Sequence, residues 1–167
     1  ILGGLDYVNH LDLNTPDINK VVEKNKSRFK GNELLGKKIG VIGLGAIGMM
    51  VANCVSSLGM DVSGYDPFIT VNNAWSLSSQ VKRAENLSAM VSECDYITLH
   101  MPLTKNTKYF IGKDIISKFK KGSKLLNFSR SEIVNEFDIK ESLDSDILSL
   151  YCTDFPSSLL INHKKVY

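Results

Sequence analysis

The sequence predicts an α/β protein: a doubly wound parallel sheet enclosed by helices in three α/β/α layers. Three observations carry that expectation. Five apolar runs, at 39–42, 62–65, 96–100, 124–127 and 148–153, alternate with longer segments of helical periodicity. Such alternation is the signature of strand–helix–strand units around a buried sheet. A glycine-rich turn, Gly43-Leu44-Gly45-Ala46-Ile47-Gly48, directly follows the first run. The second run is followed by an acid, Asp66, 18 residues beyond Gly48.

Taken in order, residues 1–28 are mostly polar. Thr15 and Pro16 mark a helix start there, as N-cap and first helical residue. Residues 1–36 are therefore expected to form a helical arm and lead-in, and residues 37–167 the core, of a single domain. The segment from Ala46 to about Leu58 continues the glycine turn as a helix. The stretch FITVNNAWSLSSQVKRA is irregular and is read as a loop with a short helix. Asn86 precedes Leu87, Met90 and Val91 at helical spacing, and Ile115, Ile116 and Phe119 share one face before a closing Gly122.

Composition narrows the function. Twenty Lys and Arg stand against eighteen Asp and Glu, scattered rather than striped, so nucleic acid is not an expected partner. Cys54, Cys94 and Cys152 lie far apart with no CxxC spacing, which suits a reducing compartment and offers no metal or disulfide framework. No apolar run reaches the ~18 residues of a membrane span, and the first residues lack the basic start of a signal peptide. No membrane and no metal are expected, and a cytoplasmic location is. Ile1 stands where an initiator Met would, so the sequence is read as a segment of a longer chain.

The glycine turn carries the chemistry. In G-x-G-x-x-G the first glycine permits a tight turn, the second a close approach of backbone to a pyrophosphate, and the third close packing of helix on strand. The helix that follows aims its free N–H groups, from Gly45, Ala46 and Ile47 onward, at the phosphates. Asp66 is placed to accept hydrogen bonds from ribose hydroxyls, and its charge repels a 2′-phosphate. The expected cofactor is NAD rather than NADP. The other reading of Asp66 is a residue that merely starts the turn before Pro67.

Three further stretches, YITLHMPLT, NFSRSEIVNE and YCTDFP, join the glycine motif in a pattern that resembles the NAD-binding domain of the D-isomer-specific 2-hydroxyacid dehydrogenases. GYDPFITVNNAWSLSSQV adds a likeness to the branch acting on 3-phosphoglycerate. The resemblance covers nearly the whole chain and implies a Rossmann-type domain of an oxidoreductase. It implies that His100, Met101 and Pro102 lie along the cofactor, that Asn127 and Ser129 help to hold it, and that Asp154 contacts the nicotinamide carboxamide. Arg130 matches the catalytic arginine, whose planar fork suits the carboxylate of a 2-hydroxy or 2-oxo acid. His100 can equally be a satisfied strand-end histidine, Arg130 a surface partner of Glu132, and Asp154 a turn residue. The resemblance also implies a homodimer built on this domain.

The pattern breaks near the end. The resemblance calls for a proton-donating histidine in a Pro-His pair and a glutamate that orients it, yet residues 155–167 hold no Asp or Glu. His163 follows Asn162 and is read as a loop residue. Ser131 stands where glycine is expected, and a positive φ there would strain it. A regulatory, corepressor-like module that binds dinucleotide without turnover is the alternative reading.

Overall fold

The computed structural model describes residues 7–167 except Leu13, Thr15, Lys30 and Pro156. The chain divides into two compact units, Ile1–Glu33 and Leu34–Tyr167. In the first, helix α1 (Ile18–Asn25) runs into a 3-10 turn, Lys26–Phe29. The ring of Phe29 meets that of Tyr7 at 5.2 Å. The N-cap is Asp17, in the left-handed region at φ 53. Pro16 thus precedes the helix instead of opening it, and Thr15 lies outside the described residues.

The second unit is built on a six-stranded sheet. Its strands are β1 (Lys38–Ile42), β2 (Asp61–Tyr65), β3 (Lys82–Arg83), β4 (Tyr96–Leu99), β5 (Ser123–Asn127) and β6 (Leu148–Thr153). All pair in parallel, in the order β3-β2-β1-β4-β5-β6. Parallel neighbours need crossovers, and helices α2 (Ala46–Ser57), α3 (Val71–Trp75), α4 (Leu87–Glu93), α5 (Lys113–Ile116) and α6 (Glu136–Asp144) provide them.

The apolar runs form strands because both sheet faces are covered. Along β1, Ile39 and Val41 join Ala52 of α2, Met60 and Val62 in one cluster. Ile42 joins Leu87, Met90 and Val91 of α4 and Ile139 and Leu143 of α6 in another. Alternate residues of one strand thereby enter two different cores, which is the three-layer arrangement the sequence predicts. Each fully buried Ile or Leu contributes roughly 1.5–3 kcal/mol by leaving water.

The chain crosses from β3 at one edge to β4 on the far side of β1, so the connections leaving β1 and β4 diverge. In open parallel sheets such a divergence, at the carboxyl ends of the strands, is where ligands bind. The opposite edge is stitched by Asp95. Its Oδ2 accepts the Lys38 N–H at 3.0 Å and its Oδ1 the Lys120 ammonium at 2.6 Å. Its own N–H donates to the Lys38 carbonyl at 2.9 Å and its carbonyl accepts the Lys124 N–H at 3.0 Å. The Lys120 hydrogen bond, with that of the Lys38 amide, holds the Asp95 carboxyl below its ordinary value.

The five expected strands each lie within a residue of their predicted ends. Two elements are additional: β3, within the stretch read as a loop, and α6. Helix α5 is a single turn rather than the longer helix suggested by Ile115, Ile116 and Phe119, although all three still pack on the core. Among the described residues no helix is long and apolar enough to cross a membrane.

Candidate functional site

The three glycines of the turn after β1 divide the surrounding space unequally. Gly43 sits at φ +91, and a Cβ there would lie 2.7 Å from the His100 carbonyl carbon. At Gly48 a Cβ would lie 1.9 Å from the Gly43 carbonyl oxygen. Protein fills both positions, so both need glycine. A Cβ at Gly45 would meet no atom within 4 Å. Gly45 is also the N-cap of α2 and supplies no side-chain cap, and Gly45, Ala46 and Ile47 are exposed. The middle glycine therefore faces an open cradle at an uncapped helix start, which fits the pyrophosphate of a dinucleotide.

Asp66 lies at the end of β2 beside this turn. Its Oδ2 accepts the Leu44 N–H at 2.8 Å and its Oδ1 accepts the Phe68 N–H at 2.8 Å. It both starts a turn, as one sequence reading has it, and braces the glycine loop. Each carboxylate oxygen retains acceptor capacity for a ribose hydroxyl. Asn73 adds a second brace, its Nδ2 donating to the Leu44 carbonyl at 3.1 Å.

At the end of β4, beside β1, the His100 N–H donates to the Ile42 carbonyl at 2.8 Å, and its Nε2 shares a hydrogen bond with Thr98 Oγ1 at 2.9 Å. Burial lowers its pKa, which keeps the ring neutral near neutral pH. His100 is thus a satisfied strand-end histidine and, through Gly43, also a wall of the turn. Met101 packs against the core and Pro102 is exposed on the loop that follows.

β5 ends in Asn127, which is wholly buried. Its Oδ1 accepts the Ser129 N–H at 3.2 Å and the Ser129 hydroxyl at 2.9 Å. Its Nδ2 donates to the Arg130 carbonyl at 2.9 Å and lies 3.4 Å from the Tyr151 hydroxyl. Both ends of the amide are engaged within the protein, so the side chain moulds the loop that carries Ser129 and Arg130. Arg130 is exposed. Its Nη1 donates to the Ser129 carbonyl at 2.6 Å, and among the described residues it forms no ion pair. Glu132 instead accepts the Ser131 hydroxyl at 3.1 Å. Ser131 opens a 3-10 turn, Ser131–Ile133, and is not among the positive-φ residues Asp17, Tyr109 and Asp146. The strain anticipated at this position is absent, because the turn takes ordinary right-handed geometry.

Asp154 is exposed just beyond β6, where it helps to line a cavity of about 310 Å³ with Ser131, Glu136, Tyr151 and Ser157. Residues 165–167 run beside β6, with the Thr153 N–H donating to the Tyr167 carbonyl at 2.8 Å and Tyr151 bridged to Val166. His163 lies in the preceding loop, as read, with Nε2 3.2 Å from Asp144 Oδ1. Burial raises the pKa of Tyr151. Tyr151 and Glu136 were not singled out in the sequence. The one signal was a polar-tipped aromatic in an apolar strand, the other an acid directly after the capping Asn135.

The glycine turn, Asp66, the His100 loop, Arg130 and Asp154 all leave the carboxyl ends of parallel strands and share one edge of the sheet. Among the described residues no group of three or more His, Cys, Asp and Glu could hold a metal.

Residues 9–165 match the family model described as D-isomer specific 2-hydroxyacid dehydrogenase, NAD binding domain. The D-3-phosphoglycerate dehydrogenase of Methanocaldococcus jannaschii is 39% identical over 121 residues, covering 72% of this chain and 23% of that protein. That of Bacillus subtilis is 37% identical over 123 residues, covering 74% and 23%. Among solved structures, the NAD+-bound 3-phosphoglycerate dehydrogenase of Entamoeba histolytica aligns with TM-score 0.69 at 34% identity. It covers 81% of this chain and 43% of that one. The chain thus spans about a quarter of the length of the curated relatives it matches.

Proposed function

We propose, since this chain belongs to the D-isomer specific 2-hydroxyacid dehydrogenases as their NAD-binding domain, that it serves an enzyme oxidising D-3-phosphoglycerate to 3-phosphohydroxypyruvate. The observation that carries the reading is the open cradle over Gly45 with Asp66 beside it and Arg130 on the same edge. The phosphoglycerate assignment is supported by the relatives at 37–39% identity.

In this reading the amides at the start of α2 bind the pyrophosphate, and Asp66 accepts the adenosine ribose hydroxyls. His100, Met101 and Pro102 border the cofactor, and Ser129 lies alongside it. Asp154 accepts the carboxamide N–H and so fixes which face of the nicotinamide meets substrate. Held by these residues, NAD would supply the acceptor for the hydride that leaves C2. Arg130 clamps the substrate carboxylate in two places and polarises the C2 oxygen. The C2 hydroxyl proton passes to a histidine from another part of the whole enzyme, leaving the 2-oxo acid. The same reading makes the enzyme a cytoplasmic homodimer assembled on this domain.

Calorimetric titration of the chain with NADH, NADPH and ADP-ribose tests the cofactor assignment. Tight NADH and weak NADPH binding is expected, and the absence of NADH binding refutes it. Turnover of the whole enzyme on a panel of D-2-hydroxy acids tests the substrate. A preference for D-lactate over D-3-phosphoglycerate overturns that part alone.

A further inference from the structure

Asp154 sits on an exposed bend, and an exposed bend is a poor place from which to aim a carboxylate unless something fixes it. The bend is held at both ends. On the near side the Phe155 N–H donates to Thr153 Oγ1 at 3.2 Å. On the far side the Ser157 hydroxyl donates to Glu136 Oε2 at 2.7 Å, across 21 residues of sequence. Glu136 is the first residue of α6, and α6 is anchored by Ile139 and Leu143, both wholly buried against the sheet. The helix follows directly on the Arg130 loop through the 3-10 turn Ser131–Ile133 and its cap Asn135. Ser131 and Glu136 share the wall of the cavity that Asp154 lines.

We infer that Glu136 is a positioning residue. Through the Ser157 hydroxyl it ties the Asp154 bend to the helix that issues from the Arg130 loop, so that the substrate-facing and nicotinamide-facing groups keep a fixed separation. This rests on the reading of Asp154 as the residue that meets the nicotinamide carboxamide. The role assigned to Glu136 is to hold the bend, not to contact cofactor or substrate. Its carboxylate acts as a hydrogen-bond acceptor at the far anchor of a bend whose near anchor is Thr153. The acceptor, not the charge, is what the arrangement uses, because the partner is a neutral hydroxyl.

The test compares NADH with ADP-ribose, which lacks the nicotinamide, in calorimetric titrations of the chain and of Glu136→Ala, Ser157→Ala, the double variant and Glu136→Gln. Each alanine variant is expected to weaken NADH binding about three- to tenfold, the span of one hydrogen bond's net contribution, with ADP-ribose affinity unchanged. The double variant should lose no more than either single one, since both break the same bond. Glu136→Gln keeps an acceptor and should restore parental NADH affinity. Equal losses for both ligands, additive losses, or parental NADH affinity in Glu136→Ala would each overturn the inference. A parental chain that binds neither ligand refutes the NAD reading itself, and the inference with it. Parental binding of both by every variant sinks the inference alone.

Discussion

The carboxylate of Asp66 reaches back to the glycine turn, where its Oδ2 accepts the Leu44 N–H at 2.8 Å. One side chain braces the loop and, in the proposed NAD reading, also presents a negative charge that disfavours a 2′-phosphate. Asp66→Asn removes the charge and keeps a single amide oxygen, which can accept the Leu44 or the Phe68 N–H but not both. We expect NADPH to gain about one order of magnitude in affinity relative to NADH, on the order of 1.4 kcal/mol, with about 1 kcal/mol of stability lost for the hydrogen bond given up. Fluorescence titration by energy transfer from Trp75 measures it. An unchanged NADH-to-NADPH ratio would remove Asp66 from cofactor selection.

Gly45 and Gly48 are separated by three positions but should respond oppositely to a methyl group. Gly45→Ala meets no protein atom, so the fold should be unaffected while NADH affinity falls at least about tenfold, the methyl occupying the cradle. Gly48→Ala drives a Cβ onto the Gly43 carbonyl oxygen and should cost about 1–3 kcal/mol of stability. Chemical denaturation and titration of both variants decide the matter. A Gly45→Ala chain that binds NADH as before would show that the cradle is not where the pyrophosphate lies.

Arg130 is exposed, and among the described residues its guanidinium is bonded to the Ser129 carbonyl alone. Arg130→Lys should leave melting temperature and NADH affinity of the chain unchanged. In the whole enzyme the loss of the two-pronged fork should lower kcat/KM about a hundredfold, ~2.7 kcal/mol of transition-state binding. Unfolding, or loss of NADH binding with turnover spared at saturation, would assign Arg130 to the fold or the cofactor.

Asp95 predicts the acid limb of the stability curve. Its pKa is lowered in the folded state by the Lys120 hydrogen bond first and the Lys38 amide second. The unfolded chain therefore takes up the proton more readily. The stabilisation is fully present above the unfolded pKa, about 4, and is lost as pH falls through the folded value. Asp95→Asn should melt below the parent at pH 7, and the two curves should converge toward pH 3. A constant gap across that range, followed by circular dichroism, would show that ionisation of Asp95 does not contribute.

The parts of the fold visible in the sequence were those fixed by local pattern. Strands β1, β2, β4, β5 and β6 are apolar because both faces are covered, and the turn's glycines advertise their spacing. β3 is two charged residues at the edge, Lys82 and Arg83, held by pairing with Ser63 and Gly64, and it has no apolar period to read. In α6 only Ile139, Ser142 and Leu143 are buried, too thin a stripe to announce a helix. The Asn127–Tyr151 and Glu136–Ser157 contacts were hidden because they join residues 24 and 21 positions apart. Pairing between distant segments leaves no periodicity. At Ser131 the expectation of strain failed because the backbone turns there through right-handed geometry.

The uncapped start of α2 has a spectroscopic consequence. Its first residues are exposed and, among the described residues, their amides have no side-chain partner, so they should exchange with solvent deuterium early, while the Lys38 and Lys124 amides, bonded to Asp95, should persist. When a phosphate settles on the turn, those early amides should slow and shift downfield together. Nuclear magnetic resonance of Ala46 and Ile47 would then report occupancy of the cradle directly, without any turnover having to occur.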